Sequence, residues 1–175
     1  MLRLYSPSKD SSALLQGVTG ERIVVDYRRR LAYAKRVIPR WEHSSWKLIH
    51  DGIRGNFEAA FEIPTLTING LSLVGVPDLV FREKKTGRIL IVELKVSTAE
   101  LPSDGWPNLR AQLWAYSRIE RWAYQAPEVL LAGEVWQHEY TDPVRRATYF
   151  WRASNERLNH ECKELFQVYG GVVAE

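Results

Sequence analysis

The feature that most constrains the fold is an apolar run that ends in alternating charges. Residues 89–92 are Ile-Leu-Ile-Val, and Glu93-Leu94-Lys95 follows directly. A short run that is apolar at every position is typical of a strand in the middle of a sheet that is covered on both faces. Because side chains alternate along a strand, we expect Glu93 and Lys95 on one face and Leu94 on the other.

A second apolar run, residues 75–81, precedes this strand and contains Pro77 and Asp78. The two runs are joined by a polar link that ends at Gly87, so they predict a β-hairpin. Pro77 cannot donate a backbone hydrogen bond, and a bulge or local break is therefore expected at this point.

Pairing of these two strands would bring Asp78 alongside Glu93 and Lys95. Carboxylates and an ammonium on one face of a buried strand are costly unless they are paired or bound to something. Two carboxylates at one point form a site for a hard cation that prefers oxygen ligands.

The pattern of Pro77-Asp78 followed by Glu93-Leu94-Lys95 on the next strand resembles the PD-(D/E)xK nuclease superfamily. Downstream, Gln112 and Tyr116 resemble the Gln-x-x-x-Tyr motif of its RecB-type, exonuclease-like branch. The motifs cover roughly residues 56–124, and the likeness extends more loosely over the chain. The resemblance implies an α/β fold with a restriction-endonuclease-like core. In such a core a central mixed β-sheet, made of an antiparallel meander plus further strands, is flanked by helices.

The resemblance also implies a mechanism, namely Mg²⁺-dependent hydrolysis of phosphodiester bonds, with Mn²⁺ as a substitute for Mg²⁺. Asp78, Glu93 and the backbone carbonyl of Leu94 would hold the metal, and Lys95 would position the attacking water. Gln112 and Tyr116 would orient the metal ligands and contact the DNA backbone. The implied partners are single- or double-stranded DNA and a helicase or recombination protein. The motifs do not separate DNA from RNA or end-directed from internal cleavage, although the helix motif favours DNA and ends.

Members of the superfamily usually supply one more acidic residue or histidine from a helix before the hairpin. Glu21 is the first candidate, since it begins the inward-facing stripe of a helix predicted over residues 20–37. The alternative reading of Glu21 is a carboxylate placed favourably at a helix N-terminus. Glu42, His43 and His50, on a second short helix predicted over residues 41–53, are rival ligands that no spacing argument separates.

The remaining pattern predicts the scaffold. A strand over residues 56–68, an Asn69-Gly70 turn and a strand over residues 71–81 would join the Glu93 strand in a meander of three consecutive strands. A helix over residues 108–124, strands over residues 128–137 and 146–153, and a last helix capped by Ser154 follow. Cys162 falls on the apolar stripe of that last helix, and residues 1–18 form an N-terminal arm.

Composition narrows the class of protein. The 175 residues suit a single domain over residues 1–175, and the net charge of +3 permits nucleic-acid binding. No apolar run approaches the ~20 residues needed to span a bilayer. With no membrane segment and no signal-peptide pattern, a cytoplasmic location is expected. The lone Cys162 excludes the four-cysteine iron–sulfur cluster that some RecB-type relatives carry.

The alternative function is a non-catalytic nucleic-acid-binding or assembly module that retains the nuclease fold, and the presence of both carboxylates and the lysine favours the enzyme.

Overall fold

A computed structural model describes residues 23–24, 27, 45–53, 60–137, 142–170 and 173–174 of the chain. Residues 23, 24 and 27 are helical, in agreement with the helix predicted over residues 20–37. The rest of that helix, the arm over residues 1–18, and the candidate ligands Glu21, Glu42 and His43 lie outside the described residues.

From residue 45 onward, the described part of the chain begins with five strands, and helices and further strands follow. In chain order they are β1 (Trp46–Asp51), β2 (Phe61–Ile68), β3 (Leu71–Gly75), β4 (Leu79–Glu83), β5 (Ile89–Val96), α1 (Pro107–Tyr116), α2 (Glu120–Ala123), β6 (Val129–Gln137), β7 (Val144–Arg152), α3 (Glu156–Gly170) and β8 (Val173–Ala174). Among the described residues, no helix is both long and apolar enough to cross a lipid bilayer.

The central sheet is mixed and has five strands in the order β1-β4-β5-β6-β7. β4 is antiparallel to both β1 and β5, β5 is parallel to β6, and β6 is antiparallel to β7. The predicted hairpin is confirmed as β4 and β5, with Gly87 at a positive φ of 77° in its turn. The parallel pair needs a long crossover, which α1 and α2 provide.

Both faces of the central sheet are covered, as the run of apolar residues in β5 predicted. Ile89 and Ile91 join a core with residues of α1 and α3, including Leu113 and Phe166. Their neighbours on β5 point to the opposite face, where a second core includes Val24 from the helical residues before β1. The sheet is therefore α/β in architecture, with helical residues on each side.

The predicted meander of three consecutive strands is wrong. β2 and β3 form the expected hairpin, with Asn69 (φ 52°) and Gly70 (φ 77°) in the turn, but they belong to a separate three-stranded sheet of order β3-β2-β8. The chain leaves that sheet after Gly75 and enters the central sheet at Leu79. The break expected at Pro77 is confirmed, and it separates two sheets because a residue without an N–H cannot continue the ladder.

The helix predicted over residues 41–53 is also wrong in its described part, since residues 46–51 are strand β1. β4 would otherwise leave a buried strand edge without hydrogen bonds, and pairing with β1 satisfies that edge. Sequence patterns over six residues are too short to separate helix from strand.

Two helix boundaries differ from the predictions. The helix predicted over residues 108–124 divides into α1 and α2, and the hydroxyl of Ser117 donates to the Trp114 carbonyl at 2.6 Å where α1 ends. At the start of α3 the cap is Asn155 rather than Ser154, because the Leu158 N–H donates to the Asn155 side-chain oxygen at 3.0 Å. The strands predicted over residues 128–137 and 146–153 are confirmed as β6 and β7, although β7 begins two residues earlier.

Candidate functional site

The site is built where β4 begins and β5 ends. Leu79 pairs with Val92, so Asp78 precedes β4 at the level of Glu93. Opposite residues of an antiparallel pair point to the same face, and Asp78 therefore shares the α1-covered face with Glu93 and Lys95. One carboxylate oxygen of Asp78, Oδ2, accepts a hydrogen bond from the Leu94 N–H at 2.7 Å. Asp78 and the Glu93–Lys95 pair are thus neighbours at this end of the sheet, Asp78 through its contact with the Leu94 N–H.

Glu93 is the most unusual member of the group. Its side chain is only 3% exposed, and its Oε1 lies 2.6 Å from Nζ of Lys95, which is 29% exposed. The other oxygen, Oε2, is buried and has no hydrogen-bond partner. The oxygens of a buried carboxylate are normally hydrogen-bonded. Oε2 of Glu93 is therefore a position at which a ligand can bind.

Gln112 and Tyr116 are one turn apart on α1 and contact each other. Nε2 of Gln112 donates to the Tyr116 hydroxyl at 2.8 Å. The Tyr116 ring packs against Gly75, where a Cβ atom would lie 2.5 Å from Cε1 of the ring. Gly75 stands three residues before Asp78, so the tyrosine packs beside the segment that carries the carboxylate, and Gly75 leaves room for it.

His50 lies on β1 and therefore on a strand, not on the predicted helix. Its Nε2 is 3.1 Å from the carbonyl oxygen of Pro77, and its ring packs against Phe61 and Trp122. Burial lowers the pKa of His50, against opposing effects of the Pro77 carbonyl and of Asp51. The positive charge of Arg121 lowers the pKa of His50 further. The contacts of this imidazole that the structure gives are with Pro77 and the two rings.

Sequence reasoning did not single out Glu134, which is fully buried in β6. Its register partner is Leu94, so Glu134 lies on the opposite face of the sheet from Asp78 and Glu93. Its Oε2 accepts a hydrogen bond from the Trp136 indole N–H at 2.8 Å. A charged residue within the otherwise apolar run of residues 129–136 was the available signal.

The oxygen atoms that the site offers to a divalent cation are those of carboxylates. In the described ranges no group of three or more His, Cys, Asp and Glu side chains lies together as metal ligands. Asp78 and Glu93 are the two carboxylates at neighbouring positions of β4 and β5, and Oε2 of Glu93 has no hydrogen-bond partner. Mg²⁺ binds through one or two carboxylates plus waters and substrate phosphate, and these residues fit that requirement.

Comparisons of the chain with protein-family profiles, with curated proteins and with solved structures gave no match.

Proposed function

We propose that the protein is a metal-dependent nuclease that hydrolyses phosphodiester bonds of DNA. The observation that carries the proposal is the carboxylate of Glu93, which is 3% exposed, bound on one oxygen by Lys95 and without a partner on the other. A structural ion pair would gain nothing from leaving a buried oxygen unsatisfied, because that costs free energy. In a cation-binding site, by contrast, an oxygen without a hydrogen-bond partner is available to coordinate the cation.

The arrangement of the strands supports the same proposal. Asp78 precedes one strand, and Glu93 and Lys95 end its antiparallel neighbour within a mixed sheet flanked by helices. This is the arrangement expected of a restriction-endonuclease-like core in the PD-(D/E)xK superfamily. Gln112 and Tyr116 come from the helix that directly follows the Glu93 strand, as in the RecB-type motif.

Asp78, Glu93 and the Leu94 carbonyl would hold Mg²⁺ or Mn²⁺. When bound, such an ion lowers the pKa of a coordinated water and offsets charge on the phosphate. Lys95 lies within hydrogen-bond distance of Glu93 and remains partly exposed, so its ammonium reaches the solvent side of the site. There it orients the attacking water and stabilises negative charge that develops on the phosphate oxygens.

Tyr116 and Gln112 would act on the substrate side. Gln112 donates to the tyrosine hydroxyl, and this contact holds the two polar groups side by side on one face of α1. Side-chain amides and hydroxyls are common partners of the phosphate oxygens of a DNA backbone. The pair would thus position the backbone beside the carboxylates rather than take part in bond breaking.

The test is cleavage of end-labelled DNA, single- and double-stranded, linear and circular, with Mg²⁺, Mn²⁺ or EDTA. Lys95→Ala is the informative variant, and Lys85→Ala, in the exposed β4–β5 turn, is the matched control. We expect metal-dependent cutting by the wild type and by Lys85→Ala, and a loss of at least about a hundredfold in Lys95→Ala. If the protein shifts DNA in a gel but never cuts it, the protein is a non-catalytic nucleic-acid-binding module and not a nuclease.

A further inference from the structure

The segment that carries Asp78 is held from outside by the end of β1. Two successive carbonyls are contacted: Nε2 of His50 lies 3.1 Å from the Pro77 oxygen, and the Gly52 N–H donates to the Asp78 oxygen at 2.8 Å. On the other side, the Asp78 carboxylate accepts from the Leu94 N–H. Asp78 is therefore fixed through its backbone by β1 and through its side chain by β5.

This external support is needed because the segment lies between two sheets. Residues 76–78 belong to no strand, and Pro77 has no N–H to donate. The carbonyl of Pro77 is consequently the only backbone hydrogen-bonding group with which this residue can be anchored. His50 occupies that carbonyl.

The His50 ring is itself held by aromatic packing. Its centroid lies 5.1 Å from that of Phe61 and 5.7 Å from that of Trp122, and these two rings are 4.7 Å apart. Burial lowers the pKa of His50 below its ordinary value of 6.5, which favours the neutral ring. A neutral imidazole that donates from Nε2 to a carbonyl must carry its single proton on that nitrogen.

Gly52 allows the end of β1 to approach the backbone of Pro77 closely. A Cβ atom at this position would lie 2.2 Å from the Pro77 carbonyl oxygen, a backbone atom that cannot swing away. The contact at Pro77 thus depends on a glycine two residues after the histidine, which makes the end of β1 a fitted support for the Pro77-Asp78 segment.

We propose that His50 is a positioning residue, which fixes the Pro77-Asp78 segment so that the Asp78 carboxylate meets β5, and that it is not itself a metal ligand. Its catalytic consequence rests on the proposed nuclease function, whereas its effect on Asp78 does not. Loosening a metal-binding carboxylate through its supporting contacts typically costs about 10- to 100-fold in activity or metal affinity.

Two variants separate the hydrogen bond from the packing. His50→Phe keeps an aromatic ring beside Phe61 and Trp122 but has no donor for the Pro77 carbonyl. His50→Gln retains an N–H close to the position of Nε2. The first measurement is hydrogen exchange of the Leu94 amide by NMR without metal, since that amide reports directly on the Asp78 carboxylate.

We expect exchange at Leu94 to be faster by about tenfold in His50→Phe and to return close to the wild-type rate in His50→Gln. Unchanged exchange in a folded His50→Phe would overturn the proposal. In the wild type, the NMR signals of the imidazole should show a neutral ring protonated at Nε2 at pH 7. A ring protonated at Nδ1 would overturn it as well, whether or not either variant folds.

The second measurement is DNA cleavage as a function of Mg²⁺ concentration. We expect His50→Phe to lose about 10- to 100-fold in kcat and His50→Gln to regain most of it. A His50→Gln variant that is as inactive as His50→Phe, with normal exchange at Leu94, would make the imidazole a direct ligand and refute the positioning role. A wild type that cuts no DNA would refute the nuclease, while exchange at Leu94 still decides the role of His50.

Discussion

Lys95 and Glu93, two residues apart on β5, form a 2.6 Å ion pair in which the carboxylate is buried and the ammonium is partly exposed. The pair occupies only one oxygen of Glu93, and the other has no hydrogen-bond partner. Because the charge of Glu93 is shielded from water, Lys95 is its principal compensation among the described contacts. The pair therefore has measurable consequences for stability, apart from any role in catalysis.

In EDTA, Lys95→Ala should lower the free energy of unfolding by about 1–3 kcal/mol, between the values for surface and buried pairs, since it leaves a buried carboxylate uncompensated. The double variant Glu93→Gln/Lys95→Ala should recover most of that loss, because it removes the charge as well. Urea denaturation of the wild type, the two single variants and the double variant measures the coupling. A double variant no more stable than Lys95→Ala would contradict the assignment of the loss to the buried charge.

Tyr116→Phe should lower DNA cleavage about tenfold while costing only about 1 kcal/mol in stability, since it removes one hydrogen-bond partner of Gln112. Gln112→Ala should have a similar effect on cleavage, and combining the two should add little because both break the same contact. Tyr124→Phe is the control, as Tyr124 is 82% exposed. Fully additive losses would show that the two residues act separately.

Gly75→Ala should displace the Tyr116 ring, which stands 2.5 Å from where the new Cβ atom would be placed. We expect cleavage to fall at least as far as in Tyr116→Phe, together with altered NMR signals of the tyrosine ring. Ser72→Ala, at an exposed position of the same strand, should change neither. Normal ring signals in Gly75→Ala would mean that β3 moves to accommodate the new Cβ atom and that the tyrosine ring stays in place.

Cys162 should be inert in the folded protein. Its side chain is buried on α3, and burial raises the pKa of its thiol from 9.0 to about 12. At pH 8 only about one thiol in ten thousand would then be the reactive thiolate. Iodoacetamide should therefore label Cys162 in urea and not in native buffer.

The same pKa shift sets the sign of a pH effect. The unfolded chain gives up the thiol proton at lower pH than the folded chain, so the stability that Cys162 contributes is present below pH 9 and is lost as pH rises towards 12. Equal labelling rates in native buffer and in urea would contradict the burial of this side chain.

Sequence patterns predicted the parts of the site that depend on local periodicity. The apolar run before Glu93 predicted a strand buried on both faces, strand alternation placed Glu93 beside Lys95, and helical spacing placed Gln112 beside Tyr116. Each of these relations joins residues two to four positions apart, which are fixed once the element type is known. The turn at Asn69 and Gly70 and the break at Pro77 followed from backbone chemistry in the same way.

Relations between distant segments were not predictable in this way. Residues 46–51 form a strand because β4 needs a partner along its edge, and that need is visible only once the sheet is assembled. The separation of β3 from β4 likewise depends on which sheet each strand joins after Pro77. The contact between His50 and the Pro77 carbonyl joins residues 27 positions apart. It depends both on the pairing of β1 with β4 and on the break after β3, so the sequence offered His50 only as one of several candidate ligands.

The role of Glu93 in a metal-dependent nuclease is best tested by the rate at which wild type and Glu93→Gln cleave end-labelled linear DNA in Mg²⁺ and in EDTA. Glu93→Gln keeps the shape of the side chain and removes the charge that a cation would bind. We expect cutting by the wild type in Mg²⁺, none in EDTA, and a rate at least about a hundredfold lower in the variant. A Glu93→Gln protein that cuts at the wild-type rate, or cutting that persists in EDTA, would contradict the proposal of a metal-dependent nuclease built on Glu93.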